Sequence, residues 1–309
     1  MSNVAPAAAR QAGKGPAQNT ASTTSSPEQR AAALLFLQGL ATELSGRSIN
    51  LPCFPDVVIR IRKALADPRA KVSETVKIVG TEPRLAARLL QAANSAAFNP
   101  SGKPLTDLRA AITRLGHRAV QSSAMAFAVQ QLRQAPALRS IANPLHALWE
   151  ESIAVASICQ VLARRTPVSP DEAFLTGLLH GIGRLYIMVR AVGKSKDLLA
   201  DPGFLDMIDG WHAAIGKAVL ENWGFAEAMS EAVGLQGEHD LGRKSAADLT
   251  DVLVVGVELA LMLRQPGRRT LAKDEIPSFQ RLRLTAQDCA DILKHTEYEL
   301  GSLHDTLGC

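Results

Sequence analysis

The stretch AFLTGLLHGIGRL, residues 173–185, decides how the rest of the chain is interpreted. Its first half is apolar with the spacing of a buried helix, and a Ser-Pro pair at 169–170 fits the start of that helix. His180 stands at the end of the helix and is followed by Gly181 and Gly183, which leave room for a ligand to approach the imidazole. A histidine in this setting is more often a hydrogen-bonded core residue than a ligand, so the stretch alone assigns no chemistry.

Apolar residues at helical spacing recur along most of the chain on both sides of this stretch. No segment shows the sustained alternation of a half-buried strand, and abundant alanine and leucine favour helix. The strongest start signal is Ser169 as N-cap with Glu172 completing a capping box. The later helices are predicted near residues 171–180, 183–192, 204–222, 226–235, 247–264 and 286–299. The predicted fold class is all-α.

Composition and charge limit the function. No run of about 18 apolar residues predicts a membrane span, and the N-terminus lacks the apolar core of a secretory signal, so a cytoplasmic location is expected. The cysteines form no CxxC pair, which fits reduced thiols. The formal charge of +4 is interpreted as spread along the chain. Its densest basic stretch, from Lys103 to Arg118, is interpreted as a solvated face rather than a nucleic-acid site.

The central stretch resembles the GLLHDIG signature of HD-superfamily phosphohydrolases, and more specifically of their HDOD relatives. Other landmarks of an HDOD domain occur in the expected order: Leu51-Pro52-x-x-Pro55, Glu82-Pro83-x-Leu85, Asn94-Ser95-Ala96-Ala97-Phe98, Ala111-Ile112-x-x-Leu115-Gly116, Trp149-x-x-Ser152 and the segment from Trp211 to Phe225. The resemblance covers about residues 45 to 265. It implies a multi-helix protein of bacterial signal transduction.

The resemblance also implies a division of the chain. Residues 28–135 are expected to form an N-terminal helical subdomain, packed on a degenerate HD-like helical subdomain at 136–265. Residues 1–27 have no periodicity and few bulky apolar side chains, so they are predicted to be a disordered tail. Residues 266–309 are predicted to form a C-terminal helical extension, either docked on the domain or projecting from it.

Active HD enzymes hold a divalent metal through one histidine, an adjacent His-Asp pair and a distant aspartate, because imidazole and carboxylate bind such ions. The resemblance places these four positions at Glu151, His180, Gly181 and Val257, so His180 alone keeps the family's ligand. Glu258 is adjacent to the last of them.

His212 matches a histidine that several HD branches carry, whereas the usual later His-His pair falls at Gln236-Gly237, with His239 displaced. We therefore predict a vestigial pocket with no catalytic residue, no bound metal and no cofactor, formed by Glu151, His180, Gly181 and His212. Asn94 and Ser95 are predicted to be a family motif.

The function predicted from this pattern is that of a non-catalytic regulator or scaffold, which binds a signalling protein through an HDOD domain. Two alternatives are a degenerate metal-dependent nucleotide phosphohydrolase and a nucleic-acid-binding regulator that uses the stretch from Lys103 to Arg118. Nucleic acid is not the expected partner, because no helix-turn-helix signature or interleaving of aromatic and basic residues is present.

Overall fold

A computed structural model describes residues 27–44, 46, 56–66, 71–95, 98–100, 102–194, 198–238, 246–264 and 276–307. These ranges contain helices and connecting turns but no strand, which confirms the predicted all-α fold class. Of the predicted tail at 1–27, residues 1–26 lie outside the described residues, and Pro27 is the first residue of the first helix. None of the helices in these ranges has the length and apolar character needed to cross a membrane.

The helices in chain order are α1 (Pro27–Leu44), α2 (Asp56–Ala66), α3 (Val72–Val79), α4 (Pro83–Asn94), α5 (Leu108–Gln134), α6 (Ala142–Ala163), α7 (Pro170–Leu179), α8 (Ile182–Val192), α9 (Pro202–Asn222), α10 (Glu227–Leu235), α11 (Leu249–Arg264), α12 (Pro277–Arg281) and α13 (Ala286–Leu307). Five of the six helices predicted in the second half match α7 to α11 within two residues at each end, whereas α13 begins at the predicted residue but ends eight residues after the predicted end. The short α12 was not predicted. Helix α7 does start at Pro170 after Ser169, but the Ser169 side chain makes no capping bond and instead accepts a hydrogen bond from Arg118.

Helices α2 to α5 pack together, with α4 antiparallel to α5. Two bonds define that direction: Arg84 donates to the Gln134 side chain over 3.2 Å, and Arg88 donates to the Gln130 side chain over 2.7 Å. Helix α5 is broken at Gly116, whose φ of 73° lies in the left-handed region that glycine adopts at no steric cost. The helical residues before and after Gly116 are therefore separated by a kink.

Helix α6 lies at the centre of the second half and packs on α7, α11 and α13. Small residues allow this close approach. A side chain on Gly177 of α7 would place its Cβ 2.7 Å from the Ala156 Cα of α6, and one on Gly256 of α11 would place its Cβ 2.5 Å from the Cys159 Sγ. Because all but a few of the side chains of α6 after Leu148 are buried, this helix can hold functional groups in fixed positions.

Helix α1 packs chiefly on α9, although it precedes α2 to α5 in the chain. The rings of Phe36 and Phe204 meet edge to face with centroids 5.9 Å apart, and Arg190 of α8 pairs with Glu43. The division into two subdomains at residue 135 stays a prediction. Helix α1, which was assigned to the N-terminal subdomain, packs on α9, which was assigned to the HD-like subdomain.

The C-terminal helices dock on the domain rather than projecting from it. Arg281 of α12 donates to the Asp251 carboxylate of α11 over 2.6 Å, and the Ser278 hydroxyl donates to the same oxygen over 2.7 Å. Burial alone would raise the pKa of Asp251, but these two bonds outweigh it and the pKa is lowered. At the start of α13, Asp288 pairs with Arg165, which follows the end of α6, over 2.6 Å.

Candidate functional site

His180 occupies the turn between α7 and α8 and is 3% exposed. Its Nδ1 lies 2.8 Å from the Gly177 carbonyl, which only accepts, so Nδ1 carries a proton and Nε2 faces away from α7. The His180 carbonyl accepts a bond of 3.0 Å from the Gln236 side chain. Gln236, at a position where the family pattern usually has histidine, thus holds the backbone of His180 in place.

Glu151 of α6 is the point on which the charged groups of this region converge. One carboxylate oxygen lies 3.4 Å from the His180 Nε2 and accepts a bond of 3.2 Å from Arg184. The other oxygen accepts a bond of 2.7 Å from Arg264. Burial alone would raise the pKa of Glu151, but the hydrogen bond from His180 and the charges of His180, Arg184 and Arg264 lower it to about 2. The carboxylate is therefore ionised at neutral pH.

Sequence reasoning missed the two arginines that complete this arrangement, which we call the ion cluster: Glu151, His180, Arg184 and Arg264. Arg184 of α8 lies four residues after His180 and also pairs with Asp209 of α9 over 3.0 Å. Arg264 is the last residue of α11 and lies 113 positions from Glu151. A signal for Arg184 is present in the GIGRL sequence, because a residue four positions after His180 lies about one helical turn away from it.

His212 of α9 lies beside the ion cluster. Its backbone approaches α8 so closely that a side chain on Gly183 would place its Cβ 1.9 Å from the His212 carbonyl oxygen. Burial and the charges of Arg184 and His180 lower the pKa of His212 to about 3, although the charge of Glu151 opposes them. Its Nδ1 is buried without a hydrogen-bond partner in the described structure. Hence His212 is neutral at neutral pH.

Gly181 stands where active HD enzymes carry aspartate. A Cβ at this position would lie 2.6 Å from the Leu148 Cδ1, so a larger residue here requires the leucine side chain to move. Val257 packs against the core from α11 and brings no ligand, and Glu258 beside it is only partly buried. His239 lies outside the described residues. Within the ranges that are described, no three His, Cys, Asp or Glu side chains are arranged to hold a metal ion.

The residues that are present do not fit a divalent cation. Each Glu151 oxygen is already bonded to a guanidinium group, from Arg184 or Arg264, at 3.2 Å or less. A metal ion on the same oxygens would lie a few ångströms from two like charges in a partly buried place, where such repulsion is weakly screened. The two arginines supply the positive charge that a metal supplies in the active enzymes.

An open groove of about 260 Å³ lies beside the ion cluster, between α6, α8 and α9. Glu151, Arg184 and Asp209 form its polar end. Its apolar wall is formed by Pro144, Ala147, Leu148, Met188, Leu205 and Ile208. Leu205 is one of the few large apolar side chains among the described residues that are substantially exposed, at 48%. The groove can accept an apolar group against this wall.

The family motif residues Asn94 and Ser95 have a structural role at the connection from α4 to α5. The Asn94 side chain donates to the Leu105 carbonyl over 2.8 Å and accepts from the Leu105 amide over 2.6 Å. The Ser95 hydroxyl donates to the Ala92 carbonyl over 2.7 Å at the end of α4. This pair therefore closes the loop and is not part of the ion cluster.

Comparison with known proteins links this arrangement to one family. The sequence profile of the HDOD domain matches residues 51–239. Among curated proteins, an uncharacterized protein of Treponema pallidum is 24% identical over 269 residues, which are 80% of this chain and 50% of that protein. The chain thus spans about half the length of the curated relative that it matches.

Solved structures share the fold. A protein of Shewanella amazonensis, provisionally named a metal-dependent phosphohydrolase, superposes with a TM-score of 0.64 at 22% identity and covers 88% of this chain and 99% of its own. An HDOD domain protein of unknown function from Geobacter sulfurreducens gives 0.57 at 20% identity, with 90% and 98% covered. A protein of Marinobacter aquaeolei, provisionally named a signal transduction protein, gives 0.60 at 20% identity, with 91% and 66% covered. At these identities the likeness concerns the fold alone.

Proposed function

We propose that this chain, which belongs to the HDOD domain family, is a non-catalytic regulator of signal transduction that acts by binding a partner protein. The matched region includes Glu151, His180 and Gly181, so the departures from the active enzymes lie inside the family's own domain. Signalling is the context that the name of the Marinobacter protein suggests, and we extend it to this chain as part of the proposal.

The observation that carries the proposal is the bonding of Glu151 to Arg184 and Arg264. A phosphohydrolase of the HD type needs a metal ion to activate water, and these arginines hold the carboxylate that would bind that ion. Gly181, at the position of the aspartate in the active enzymes, brings no carboxylate, and its neighbour is the apolar side chain of Leu148. A domain with this site can still keep a rigid helical surface for another protein.

Hydrolysis assays test the catalytic half of the proposal. The full chain is incubated with nucleotides and with an activated phosphodiester in the presence of Mn²⁺, Mg²⁺ or Zn²⁺, beside His180→Ala. We expect equal background rates for both proteins. A rate that is well above background and is lost in His180→Ala would contradict the proposal and favour the phosphohydrolase.

Crosslinking in bacterial cells, followed by capture of the chain and binding measurements with purified components, tests the binding half. We expect capture of a protein with a sensor, nucleotide-signalling or transcription-control domain, and a complex that forms again from the two purified proteins. Capture of no protein that rebinds when purified would contradict the proposal.

A further inference from the structure

The open groove between α6, α8 and α9 has an apolar end and a polar end, and each of the three helices contributes to both. In each helix the two ends are lined by residues four positions apart: Ala147 and Glu151, Met188 and Arg184, Leu205 and Asp209. Residues at this spacing are neighbours on one face of a helix and lie about 6 Å apart along its axis. An occupant that fills the groove therefore needs an apolar group and, about one helical turn away, a polar one.

The charge that the polar end offers to an occupant is negative. Arg184 is bonded through its two terminal nitrogens, to Glu151 over 3.2 Å and to Asp209 over 3.0 Å, and its Nε is buried. Arg264 bonds the other Glu151 oxygen and is not among the residues that line the groove. Asp209 is still 67% exposed. Asp206, three positions before it on α9, is exposed, and its side chain bonds nothing in the part of the chain that the structure describes.

The part of the chain that carries the groove is negative as a whole, contrary to the even spread of charge expected from the sequence. Residues 136–264 contain 11 Lys and Arg but 16 Asp and Glu, a formal charge of −5, whereas the whole chain has +4. A concentration of one sign in one part of a protein attracts partners of the opposite sign. A cationic occupant therefore suits the groove, and an anion such as a nucleotide does not.

The size of the groove favours a segment of a protein over a small molecule. Its volume of about 260 Å³ lies below the roughly 300–1,000 Å³ of typical small-molecule pockets, and it is open to solvent along its length. Leu205, 48% exposed at its edge, is withdrawn from water only when an occupant covers it. An amphipathic helix that lays its apolar face into such a groove is a recurring mode of protein recognition.

We propose that this groove docks a helical segment of the partner protein that carries a large apolar side chain and, one turn away, a basic one; this proposal rests on the proposed function. The apolar side chain packs against the wall at Leu205, and the basic one pairs with Asp209 and Asp206. One turn of the partner helix, about 5.4 Å, matches the spacing of about 6 Å between the two ends of the groove.

Fluorescence anisotropy with the full chain tests the proposal. The probe is a labelled helical peptide of about 18 residues, built from alanine with leucine and lysine in successive turns of one face. Two comparison peptides carry glutamate in place of lysine, or alanine in place of leucine. All three are titrated at about 50 and 300 mM salt, because salt screens exposed charges but not apolar contacts.

The variants remove the apolar wall and the exposed charge separately. Leu205→Gln makes the wall polar, and its control is Leu35→Gln, at another exposed leucine that does not line the groove. Asp206→Lys reverses the charge at the border of the groove, and its control is Glu231→Lys, at an exposed carboxylate of α10. Circular dichroism establishes that each variant is folded.

We expect the wild type to bind the peptide with leucine and lysine more tightly than either comparison peptide. Leu205→Gln should weaken this binding at least about fivefold at both salt concentrations. Asp206→Lys should weaken it about threefold at the lower salt concentration and less at the higher one. Each control variant should bind within about twofold of the wild type.

Equal binding of the lysine and glutamate peptides, or equal binding by the test and control variants, would overturn the proposal. So would a dimer of the wild type in light scattering that Leu205→Gln dissociates, because the groove would then hold a second copy of this chain. The partner captured in cells separates these outcomes from failure of the proposed function. If that partner binds Leu205→Gln as tightly as the wild type, the docking surface is wrong and the proposed function stands. If the wild type captures no partner that rebinds when purified, the proposed function is contradicted and the docking proposal falls with it.

Discussion

Replacing Glu151 by glutamine removes the charge on which Arg184 and Arg264 converge while keeping the size of the side chain. A pKa lowered from its ordinary value of 4.5 to about 2 corresponds to about 3 kcal/mol in favour of the folded, ionised form. The hydrogen bond and charge of His180 are the largest causes of this lowering, and the charges of Arg184 and Arg264 add to it. The two arginines are 29% and 38% exposed, so solvent screens part of this energy. We therefore expect Glu151→Gln to lower the free energy of unfolding by about 2 kcal/mol at pH 7.

The pH dependence of this loss follows from the sign of the shift. The Glu151 carboxyl has a lower pKa in the folded state than in the unfolded state. Its contribution to the free energy of unfolding is therefore complete above the unfolded pKa of 4.5 and is lost as the pH falls from 4.5 through about 2. Unfolding in urea, followed by circular dichroism, should give the same difference between wild type and variant at pH 7 and at pH 5.5. The difference should shrink below pH 4.5.

A matched control separates this effect from the removal of any surface carboxylate. Glu221 pairs with Lys217 one turn away over 3.8 Å, and both side chains are highly exposed. Glu221→Gln should cost no more than about 0.5 kcal/mol. Equal losses for the two variants, or a loss below about 0.5 kcal/mol for Glu151→Gln, would refute the reasoning that Glu151 organises the ion cluster.

The other predictions concern the surroundings of the site and the docked C-terminal helices. When the pH falls from 7 to 5, the wild type should lose about 1 to 2 kcal/mol more stability than His212→Asn. The reason is that the His212 imidazole takes up a proton below pH 6.5 in the unfolded chain but not in the folded protein, where its pKa is about 3. Denaturant titrations at several pH values measure this difference. Gly183→Ala should cost about 3 kcal/mol or prevent folding, because its Cβ would lie 1.9 Å from a backbone oxygen of α9; a thermal melt beside Gly210→Ala, where nothing lies within 4 Å of the added Cβ, provides the check. Arg281→Met should cost about 3 kcal/mol because it leaves the Asp251 carboxylate, 2% exposed, without its cation, and hydrogen exchange should then show faster exchange in α12. Burial raises the pKa of the Cys159 thiol, so a thiol reagent should modify it in the native protein only at the rate of unfolding.

The helices could be predicted because their signals are local. Apolar spacing, with prolines at the first turns of α7 and α9, predicted α7 to α11 within two residues at each end. The capping bond predicted for Ser169 was wrong for a non-local reason: its hydroxyl is engaged by Arg118, 51 positions away in the chain. A local motif gives the position of a helix start but not which distant side chain bonds there.

The candidate site could be predicted only in part, for the same physical reason. The family pattern identified His180, Glu151 and His212, which the fold places close enough for their charges to interact. It did not identify Arg264, which reaches Glu151 only because α11 packs against α6. Tertiary packing decides which arginine lies beside the Glu151 carboxylate, and the distance of 113 positions between Glu151 and Arg264 in the sequence gives no sign of this contact.

The most direct test of the central claim, that arginines have replaced the metal in this pocket, is calorimetric titration of the purified chain with Mn²⁺. The account predicts no saturable binding that depends on His180 or Glu151, because guanidinium groups hold the oxygens that a metal would need. Binding of one ion per chain, lost in both His180→Ala and Glu151→Gln, would contradict it.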